Sequence, residues 1–247
     1  MKAPVRVSLI GAAGRMGQAI AAAAEAESAI EITAKLDLGD TIDAPIGGCD
    51  VVIDFSHVDA TEQLCAACVA ARKPLVIGTT GHSAAQTAVI KEATKTIPII
   101  LAANFSIGVN TLFWLTRKAA ELLGDGFDIE IVETHHRMKK DAPSGTAKRL
   151  ASVLAEVRGL NVDSNLAHGR VGEVGERPAN QIGVHAIRAG DVVGEHTVMF
   201  ASAGERLELT HKASSRETFA VGALRAAQWI IGKPASLYNM EHVLGLL

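Results

Sequence analysis

The chain has 247 residues, of which 48% are hydrophobic and 21% are charged, and its mean hydropathy is +0.22. This composition excludes a disordered protein, and the length allows one large domain or two ordinary ones. The 24 basic and 27 acidic residues give a net charge of −3, which disfavours nonspecific nucleic-acid binding. No apolar run reaches the roughly 20 residues of a membrane-spanning helix, so we expect neither nucleic acid nor membrane as a partner.

The chain has an odd number of cysteines, Cys49, Cys65 and Cys68, which give no disulfide framework and so indicate a reducing, cytoplasmic compartment. Cys65 and Cys68 have the spacing of a redox pair, but they lie in an alanine-rich helical stretch, and we interpret them as small helix residues. The basic and apolar N-terminus resembles a signal peptide, yet glycines interrupt its apolar run, so we expect a folded loop there.

The N-terminal part alternates short β-branched runs with alanine-rich helical stretches. Strands are predicted at 5–10, 30–36, 51–54, 75–77 and 98–102, and helices at 15–26, 60–71 and 84–95. Strands that alternate with crossover helices predict a parallel sheet with both faces covered.

After residue 106 the pattern becomes α+β. The predicted elements are a helix at 107–123, a strand at 127–134, a helix at 144–157, a loop at 159–181, strands at 182–188, 192–200 and 205–211, and a helix at 218–231. The last three strands are joined by short turns, so we expect a mostly antiparallel open sheet. We predict one domain from 1–106 and 215–247, because the last helix returns to it, and a second domain from 107–214.

A glycine-rich loop follows the first predicted strand and opens the first helix: Gly11, Ala12, Ala13, Gly14, Arg15, Met16, Gly17. Small residues let the backbone turn sharply and approach a pyrophosphate, while the helix N-terminus favours negative charge. Asp37 ends the second strand twenty residues after Gly17, where a carboxylate accepts the ribose hydroxyls of a dinucleotide. The alternative is that the glycines mark ordinary tight turns and that Asp37 starts a turn with Gly39 and Asp40; we favour the dinucleotide interpretation.

Two further loops follow predicted parallel strands, at the sheet edge where ligands bind. Their residues are Gly78, Thr79, Thr80 and Gly81, and Ala102, Ala103, Asn104, Phe105 and Ser106. By themselves they are equally well read as polar loops that cap strands.

The densest chemistry lies between Glu133 and Thr146, in the run ETHHRMKKDAPSGT. Pro143 starts a helix well, so Ser144, Gly145 and Thr146 form its first turn, with amides and hydroxyls suited to a carboxylate. A bound carboxylate beside a nicotinamide suggests reduction of a carboxylated substrate, and His135 and Lys139 are the candidate proton donors.

Each of these residues also has an ordinary interpretation. The histidine pair is otherwise a packed or surface pair, the lysines a solvated run, and Ser144 a helix cap. A zinc site at Glu133, His135 and His136 is disfavoured because adjacent histidines point apart on a strand, so we predict no metal. Arg216, between the last strand and the last helix, is a candidate second carboxylate contact.

Together these residues resemble the dihydrodipicolinate reductase family, also named 4-hydroxy-tetrahydrodipicolinate reductase, along nearly the whole chain. The matching motifs are Gly11-Ala-Ala-Gly-Arg-Met-Gly17, Asp54-Phe-Ser56, Gly78-Thr-Thr-Gly81, Ala103-Asn-Phe-Ser106, Glu133 to Ala147, Arg188-Ala-Gly-Asp191, Gly194-Glu-His196 and Leu209 to Arg216. The resemblance implies an oxidoreductase of lysine and diaminopimelate biosynthesis. It also implies a Rossmann-type domain, and a substrate domain whose sheet builds a homotetramer.

The resemblance further implies residue roles. His135 would donate or accept a proton and Lys139 would donate one, while His136, Ser144, Gly145 and Thr146 would hold the carboxylates of a dicarboxylate substrate. NAD(P)H would be held by the glycine loop from Gly11 to Met16, by Asp37, and by Gly78 to Thr80 and Ala102 to Phe105. Leu38 follows Asp37 where some members carry an arginine suited to a 2′-phosphate, so we expect NADH to be preferred and NADPH use to be residual.

Two other functions compete with this one. An enzyme similar to aspartate-semialdehyde dehydrogenase needs a nucleophilic cysteine in its catalytic domain, and all three cysteines lie before residue 70. A non-catalytic dinucleotide-sensing module would keep the glycine loop without needing the His135 to Thr146 cluster.

Overall fold

The computed structural model describes residues 3–37 and 39–247, and the chain divides into two compact units. Unit 1 comprises Met1–Ile107 and Arg216–Leu247, and unit 2 comprises Gly108–Ser215. We predict that the first domain binds the dinucleotide and that the second binds the substrate and forms the oligomer. These functions stay predictions.

The elements follow one another along the chain in three stretches. The first contains β1 (Val5–Ile10), α1 (Arg15–Glu25), β2 (Ile30–Leu36), α2 (Asp43–Gly48), β3 (Val51–Asp54), α3 (Thr61–Ala71), β4 (Leu75–Ile77), α4 (Ala84–Ala93) and β5 (Pro98–Leu101). The second contains α5 (Ile107–Leu123), β6 (Asp128–His135), α6 (Gly145–Arg158), α7 (Val162–Asn165), β7 (Leu166–His168), β8 (Ile182–Arg188), β9 (Gly194–Ser202) and β10 (Glu205–Ala213). The third contains α8 (Glu217–Ile230), β11 (Ser236–Tyr238) and α9 (Met240–Leu244).

The sheet of unit 1 has six parallel strands in the order β2-β1-β3-β4-β5-β11. All four residues of β3 are buried, as expected for a strand with helices on both faces. The strand order reverses between β1 and β3, which is where ligands bind in open α/β sheets. The predicted Rossmann-type fold is therefore confirmed.

Helix α8 packs on α1 in the core of this unit. The helix presents small buried side chains such as Ala220, Ala223 and Ala227. At Gly222 a methyl group would overlap with the carbonyl oxygen of Phe105, so only glycine allows this close approach. The alanine-rich sequence of α8 is thus explained by tight packing rather than by helix propensity alone.

Three elements of unit 1 were absent from the sequence prediction: α2, β11 and α9. Helix α2 has six residues, which include two glycines and a proline, and β11 has three residues. Neither is long enough to show a hydrophobic period, so pairing and packing decide these elements.

The sheet of unit 2 is mixed, with the order β10-β9-β6-β8-β7. Strands β9 and β10 form the expected antiparallel pair, but β6 lies between β8 and β9 and runs parallel to β8. The expectation of a mostly antiparallel sheet is therefore wrong in this respect. Strands β8 and β9 therefore do not form a hairpin: β9 pairs with the opposite edge of β6, and the Ala189 N–H extends the pairing of β8 with β6 by binding the carbonyl of His135.

The expected loop at 159–181 contains a short helix, α7, and the edge strand β7, so that prediction is also wrong in part. Strand β6 alternates strictly: Ile129, Ile131, Glu133 and His135 are buried, and the residues between them are half-buried. The buried face packs against α6 and the core of unit 2. Among residues 3–37 and 39–247, no helix is both long and apolar enough to cross a membrane.

Candidate functional site

The glycine-rich loop between β1 and α1 has a backbone that only glycine permits. Gly11 has a φ of +81°, and a methyl group there would lie 2.5 Å from the carbonyl oxygen of Phe55. A methyl group at Gly17 would overlap with the carbonyl oxygen of Gly11. Helix α1 has no side-chain cap at Gly14 and no acidic residue in its first turn, so its N-terminus suits an anion.

Asp37 is bound to this loop directly. Its Oδ2 and Oδ1 lie 2.9 and 3.2 Å from the backbone nitrogen of Ala13, and its own N–H donates to Asp40. The contact with Ala13 was not predicted from the sequence, whereas the bond to Asp40 agrees with the alternative of a turn at Asp37. A carboxylate accepts about four hydrogen bonds, so Asp37 retains acceptor capacity for ribose hydroxyls. Leu38, on which the cofactor expectation also depended, lies outside the described residues.

The loops after β3, β4 and β5 lie beside the glycine-rich loop at the same edge of the sheet. A methyl group at Gly78 would overlap with the ring of Phe55. The centroid of that ring lies 5.4 Å from the centroid of the Phe105 ring. Ala102 binds the carbonyl of Ile77 through its N–H. The predicted cofactor residues Thr79, Thr80, Ala103 and Asn104 lie in these same loops. The packing of Phe55 therefore requires the glycine at position 78, and the role of these loops in holding a dinucleotide stays a prediction.

Asp54 is a residue of this edge whose structural role the sequence prediction missed. It is buried at the end of β3, and its Oδ1 accepts from the N–H and the hydroxyl of Ser56, at 3.0 and 2.5 Å. Burial raises the pKa of the Asp54 carboxyl, although the hydrogen bonds from Ser56 oppose the change. Asp54 therefore holds the turn that contacts Gly11.

The cysteines behave as core residues. All three are buried and free, and burial raises the pKa of Cys65 to about 11 and that of Cys68 above its usual range. A buried thiol with a raised pKa is a poor nucleophile and a poor redox group. The interpretation of Cys65 and Cys68 as small helix residues agrees with this environment.

In unit 2, the alternation of β6 places Glu133 and His135 on the buried face. Glu133 is completely buried, and its carboxylate accepts two hydrogen bonds of 2.8 Å from the guanidinium of Arg188 on β8. It also accepts from the backbone N–H of Ser144 at 3.1 Å. Burial raises the pKa of the Glu133 carboxyl, but these bonds and the one from His135 outweigh it and hold the pKa below its usual value.

His135 is the partner of Glu133 on the same strand. Its Nδ1 lies 2.6 Å from Oε2 of Glu133, and its ring meets the ring of His196 edge-on at 5.1 Å. Burial lowers the pKa of His135, while the hydrogen bond with Glu133 raises it, and the net direction is downward. Across the sheet lies Gly194, where a methyl group would stand 3.0 Å from Nε2 of His135. Gly194 thus leaves room around that nitrogen.

His196 connects β9 to the start of α6. Its Nε2 lies 2.9 Å from the hydroxyl oxygen of Ser144, which also accepts from the N–H of Ala147 as the cap of α6. Burial lowers the pKa of His196 to about 4, so this ring is neutral at pH 7. The interpretation of Ser144 as a helix cap is therefore correct, and it is compatible with a role in binding.

The first turn of α6 and the preceding loop complete the cluster. A methyl group at Gly145 would meet no protein atom, so the protein's own packing does not require glycine there. Lys139 is half-buried, and its Nζ binds Asp141 at 2.8 Å. The loop bends back at His136, whose carbonyl accepts from the N–H of Lys139. Thr146 follows Gly145 in the same turn.

Two further expectations concern metals and Arg216. Within the described part of the chain, no three His, Cys, Asp or Glu side chains are grouped as metal ligands would be. Arg216 is exposed at the start of α8 and belongs to unit 1. Its role as a substrate contact stays a prediction.

Two family models together match almost the whole chain. Residues 5–105 match the model described as dihydrodipicolinate reductase, N-terminus, and residues 108–244 match the model described as dihydrodipicolinate reductase, C-terminus. The chain belongs to the dihydrodipicolinate reductase family. Its members are oxidoreductases that depend on a nicotinamide dinucleotide, and the family places the chain in lysine and diaminopimelate biosynthesis.

Individual relatives support this membership. The chain is 53% identical to the 4-hydroxy-tetrahydrodipicolinate reductase of Akkermansia muciniphila and 46% identical to that of Anaeromyxobacter dehalogenans, with 98% of each chain covered. A solved structure of dihydrodipicolinate reductase from Paenisporosarcina sp. TG-14, with dipicolinate bound, has a TM-score of 0.79 at 23% identity and covers 96% of this chain and 97% of its own. At that identity the likeness shows the fold alone.

Membership in the dihydrodipicolinate reductase family confirms the resemblance and disfavours the two competing functions. The structure adds three residues to the candidate site: Glu133, Arg188 and His196. From the sequence, Glu133 is a candidate only as a zinc ligand, and Arg188 and His196 lie in family motifs without predicted roles. The strict alternation of β6 was the available signal, because it places a carboxylate on a buried face where it needs a partner.

Proposed function

We propose that the chain reduces 4-hydroxy-tetrahydrodipicolinate to tetrahydrodipicolinate at the cluster around His135 in unit 2. The reaction replaces a ring hydroxyl with hydrogen, so it consumes one hydride and one proton and releases water. When bound, the nicotinamide supplies the hydride. The observation that carries the proposal is that the buried Glu133–His135 pair lies next to the N-terminus of α6. A ring that can transfer a proton therefore lies beside a helix end that can bind a carboxylate.

The substrate carboxylates bind the first turn of α6. The residues that hold them are His136, Ser144, Gly145 and Thr146, with Arg216 as a second contact. The amides of a first helical turn point away from the helix toward an anion, and the helix dipole favours negative charge there. The space at Gly145 supports this assignment, because it lets a ligand approach the backbone.

Protons are handled by His135 and Lys139. Nε2 of His135 is the ring nitrogen that Glu133 leaves free, and Lys139 carries a cation that attracts the substrate and donates a proton. Asp141 holds the Lys139 ammonium at 2.8 Å and so limits its positions in the absence of substrate. Together these two groups deliver to the bound ring the one proton that the reaction consumes.

NADH is the preferred cofactor, and NADPH use is residual. Asp37 is anchored at the glycine-rich loop, so its negative charge cannot move away from a 2′-phosphate. A phosphate monoester adds a charge of about −1.5 to −2, and at an effective dielectric of ~20 the repulsion amounts to a few kcal/mol. Lys35, two residues before Asp37, and Arg15, two residues after the Ala13 that Asp37 contacts, are exposed and soften this repulsion without removing it.

The function is tested by following the oxidation of both cofactors with enzymatically generated substrate, at low and matched ionic strength because salt screens the charge effect. We expect NADH to give the higher kcat/KM and Asp37→Ala to reduce that preference. Lys95→Ala, another exposed charge of unit 1, serves as the control. A tenfold preference of the unaltered chain for NADPH would refute the role of Asp37, and no reduction with either cofactor would refute the function itself.

The assembly is a cytoplasmic homotetramer built by the second face of the unit 2 sheet. That face carries half-buried side chains on its central strands, among them Val132, Thr134, Thr197 and Met199. The three free cysteines support a reducing compartment. Light scattering measures the mass directly, and Met199→Lys should dissociate the tetramer whereas Lys118→Ala on α5 should not.

A further inference from the structure

The carboxylate of Glu133 has no acceptor capacity left over. Oε1 accepts from Ser144 N at 3.1 Å and from one nitrogen of Arg188 at 2.8 Å, while Oε2 accepts from the other nitrogen of Arg188 and contacts His135 Nδ1 at 2.6 Å. Four partners on two oxygens account for the whole hydrogen-bonding capacity of an ionised carboxylate. The side chain is also completely buried, so solvent cannot substitute for any of these partners.

This arrangement determines which nitrogen of His135 carries the proton. An ionised carboxylate only accepts hydrogen bonds, so Nδ1 must donate to it. In the neutral ring Nε2 is then unprotonated, and in the charged ring Nε2 carries the exchangeable proton. Arg188 is held in turn by the carbonyl of Asp141 at 2.7 Å and by that of Ile187 at 2.6 Å, so the guanidinium cannot rotate away from Glu133.

We propose that Glu133 is a positioning residue for the reaction. It fixes the tautomer and the orientation of His135, so that Nε2 is the atom that gives up the proton. Arg188 keeps Glu133 in place and ionised. The inference rests on the proposed function of His135. It assigns Glu133 no contact with the substrate.

The groups that face His135 come from every element around it. Glu133 on β6 favours the charged ring, and Lys139 in the following loop and Arg188 on β8 oppose it. His196 on β9 contributes a neutral ring, and Gly194 contributes only space. Glu133 is therefore the negatively charged group in direct contact with His135. Burial and the two cations, Lys139 and Arg188, disfavour the charged form of that ring. Without Glu133, the ring loses its orientation, and its pKa falls further below the usual value.

The test is Glu133→Gln, with Glu130→Gln as the matched control. Glu130 lies on the same strand, also binds arginines and a histidine, and faces the other side of the sheet. We expect Glu133→Gln to lower kcat by about 10²-fold or more with little change in KM. The alkaline limb of the pH profile should move to lower pH by about one unit, because the acid form of His135 is lost earlier. Glu130→Gln should leave both readouts unchanged.

A second measurement does not depend on the variant folding. Nitrogen-15 NMR of the histidine rings in the unaltered protein reports the tautomer of His135 directly, with His135→Asn used to assign the signal. We expect the proton on Nδ1. A neutral ring protonated on Nε2 instead of Nδ1, or a Glu133→Gln variant that folds with an unshifted pH profile, would overturn the inference while the reductase activity of the unaltered chain still supported the function. Absence of that activity would instead refute the function.

Discussion

Strand β6 carries two carboxylates that have similar partners and different consequences. Glu130 binds Arg170, Arg177 and His185 on one face of the sheet, and Glu133 binds an arginine and a histidine on the other. The Glu130 side chain is 18% exposed, whereas that of Glu133 is 0% exposed. Burial raises the pKa of Glu130, but its three partners outweigh this and lower it to about 2.

The two carboxylates differ in the elements of the fold that carry their partners. Arg170 and Arg177 come from the segment between β7 and β8, so the bonds to Glu130 fasten that segment to the sheet. The partners of Glu133 come from β6 itself, β8 and the start of α6, which are already fixed by packing. An ion pair between rigid elements adds little new order, and its burial costs desolvation. We therefore expect changes near Glu130 to alter stability and changes near Glu133 to alter catalysis.

The largest effect is expected at Lys139, on the Glu133 side. Lys139→Ala removes a cation and a proton donor, so we expect kcat to fall by about 10²- to 10⁴-fold. Binding of NADH should stay near normal, because the predicted cofactor residues all lie in unit 1. Lys140→Ala, the exposed neighbour, is the control. An unchanged kcat in Lys139→Ala would remove this lysine from the mechanism.

The next effect is an acid dependence on the Glu130 side. The folded pKa of Glu130 is about 2, below its usual value, so Glu130 stabilises the fold above the unfolded pKa and loses this contribution as the pH falls toward 2. Glu130→Gln should lower the free energy of unfolding at pH 7 by up to about 3 kcal/mol, since one pKa unit corresponds to about 1.4 kcal/mol. The gap between the variant and the unaltered chain should narrow from pH 5 to pH 3 in urea unfolding. A gap that stays constant over this range would contradict the shifted pKa.

The two sides also differ in how far the sequence could predict them. The alternation of β6 is visible in the amino-acid sequence alone, and it places Glu133 and His135 on one face of the strand. The position of β6 between β8 and β9 is not visible there, because the sequence gives the order of strands along the chain and not across the sheet. Without that order, Arg188 cannot be brought beside Glu133. The glycine-rich loop was easier to predict, since a loop and its helix are contiguous.

Gly183 on β8 tests the Glu130 side by steric means. It pairs with Glu130 across the sheet, and a methyl group there would overlap with the carboxylate. The carboxylate can move only by breaking bonds to Arg170, Arg177 or His185, so Gly183→Ala should destabilise the fold by about 1–3 kcal/mol. Urea unfolding measures this loss, and Gly126→Ala is the control because a methyl group there meets open space. A neutral Gly183→Ala would show that the segment between β7 and β8 is not held by Glu130.

Gly194 on β9 provides the corresponding test on the Glu133 side, with the smallest expected effect. A methyl group there would lie 3.0 Å from Nε2 and 3.3 Å from Cδ2 of His135, so the ring must shift by a few tenths of an ångström. The ring cannot shift without lengthening its 2.6 Å contact with Glu133. We expect kcat to fall by roughly tenfold, because a proton donor misplaced by a fraction of an ångström transfers less efficiently. Stability should change by less than in Gly183→Ala, since a small shift of one ring relieves the overlap and the bonds between Glu133 and Arg188 stay in place.

Stopped-flow rates and urea unfolding on both glycine variants separate the two faces: Gly183→Ala should change mainly the unfolding midpoint and Gly194→Ala mainly the rate. If both variants changed the same quantity, the division of β6 into a fastening face and a catalytic face would be wrong.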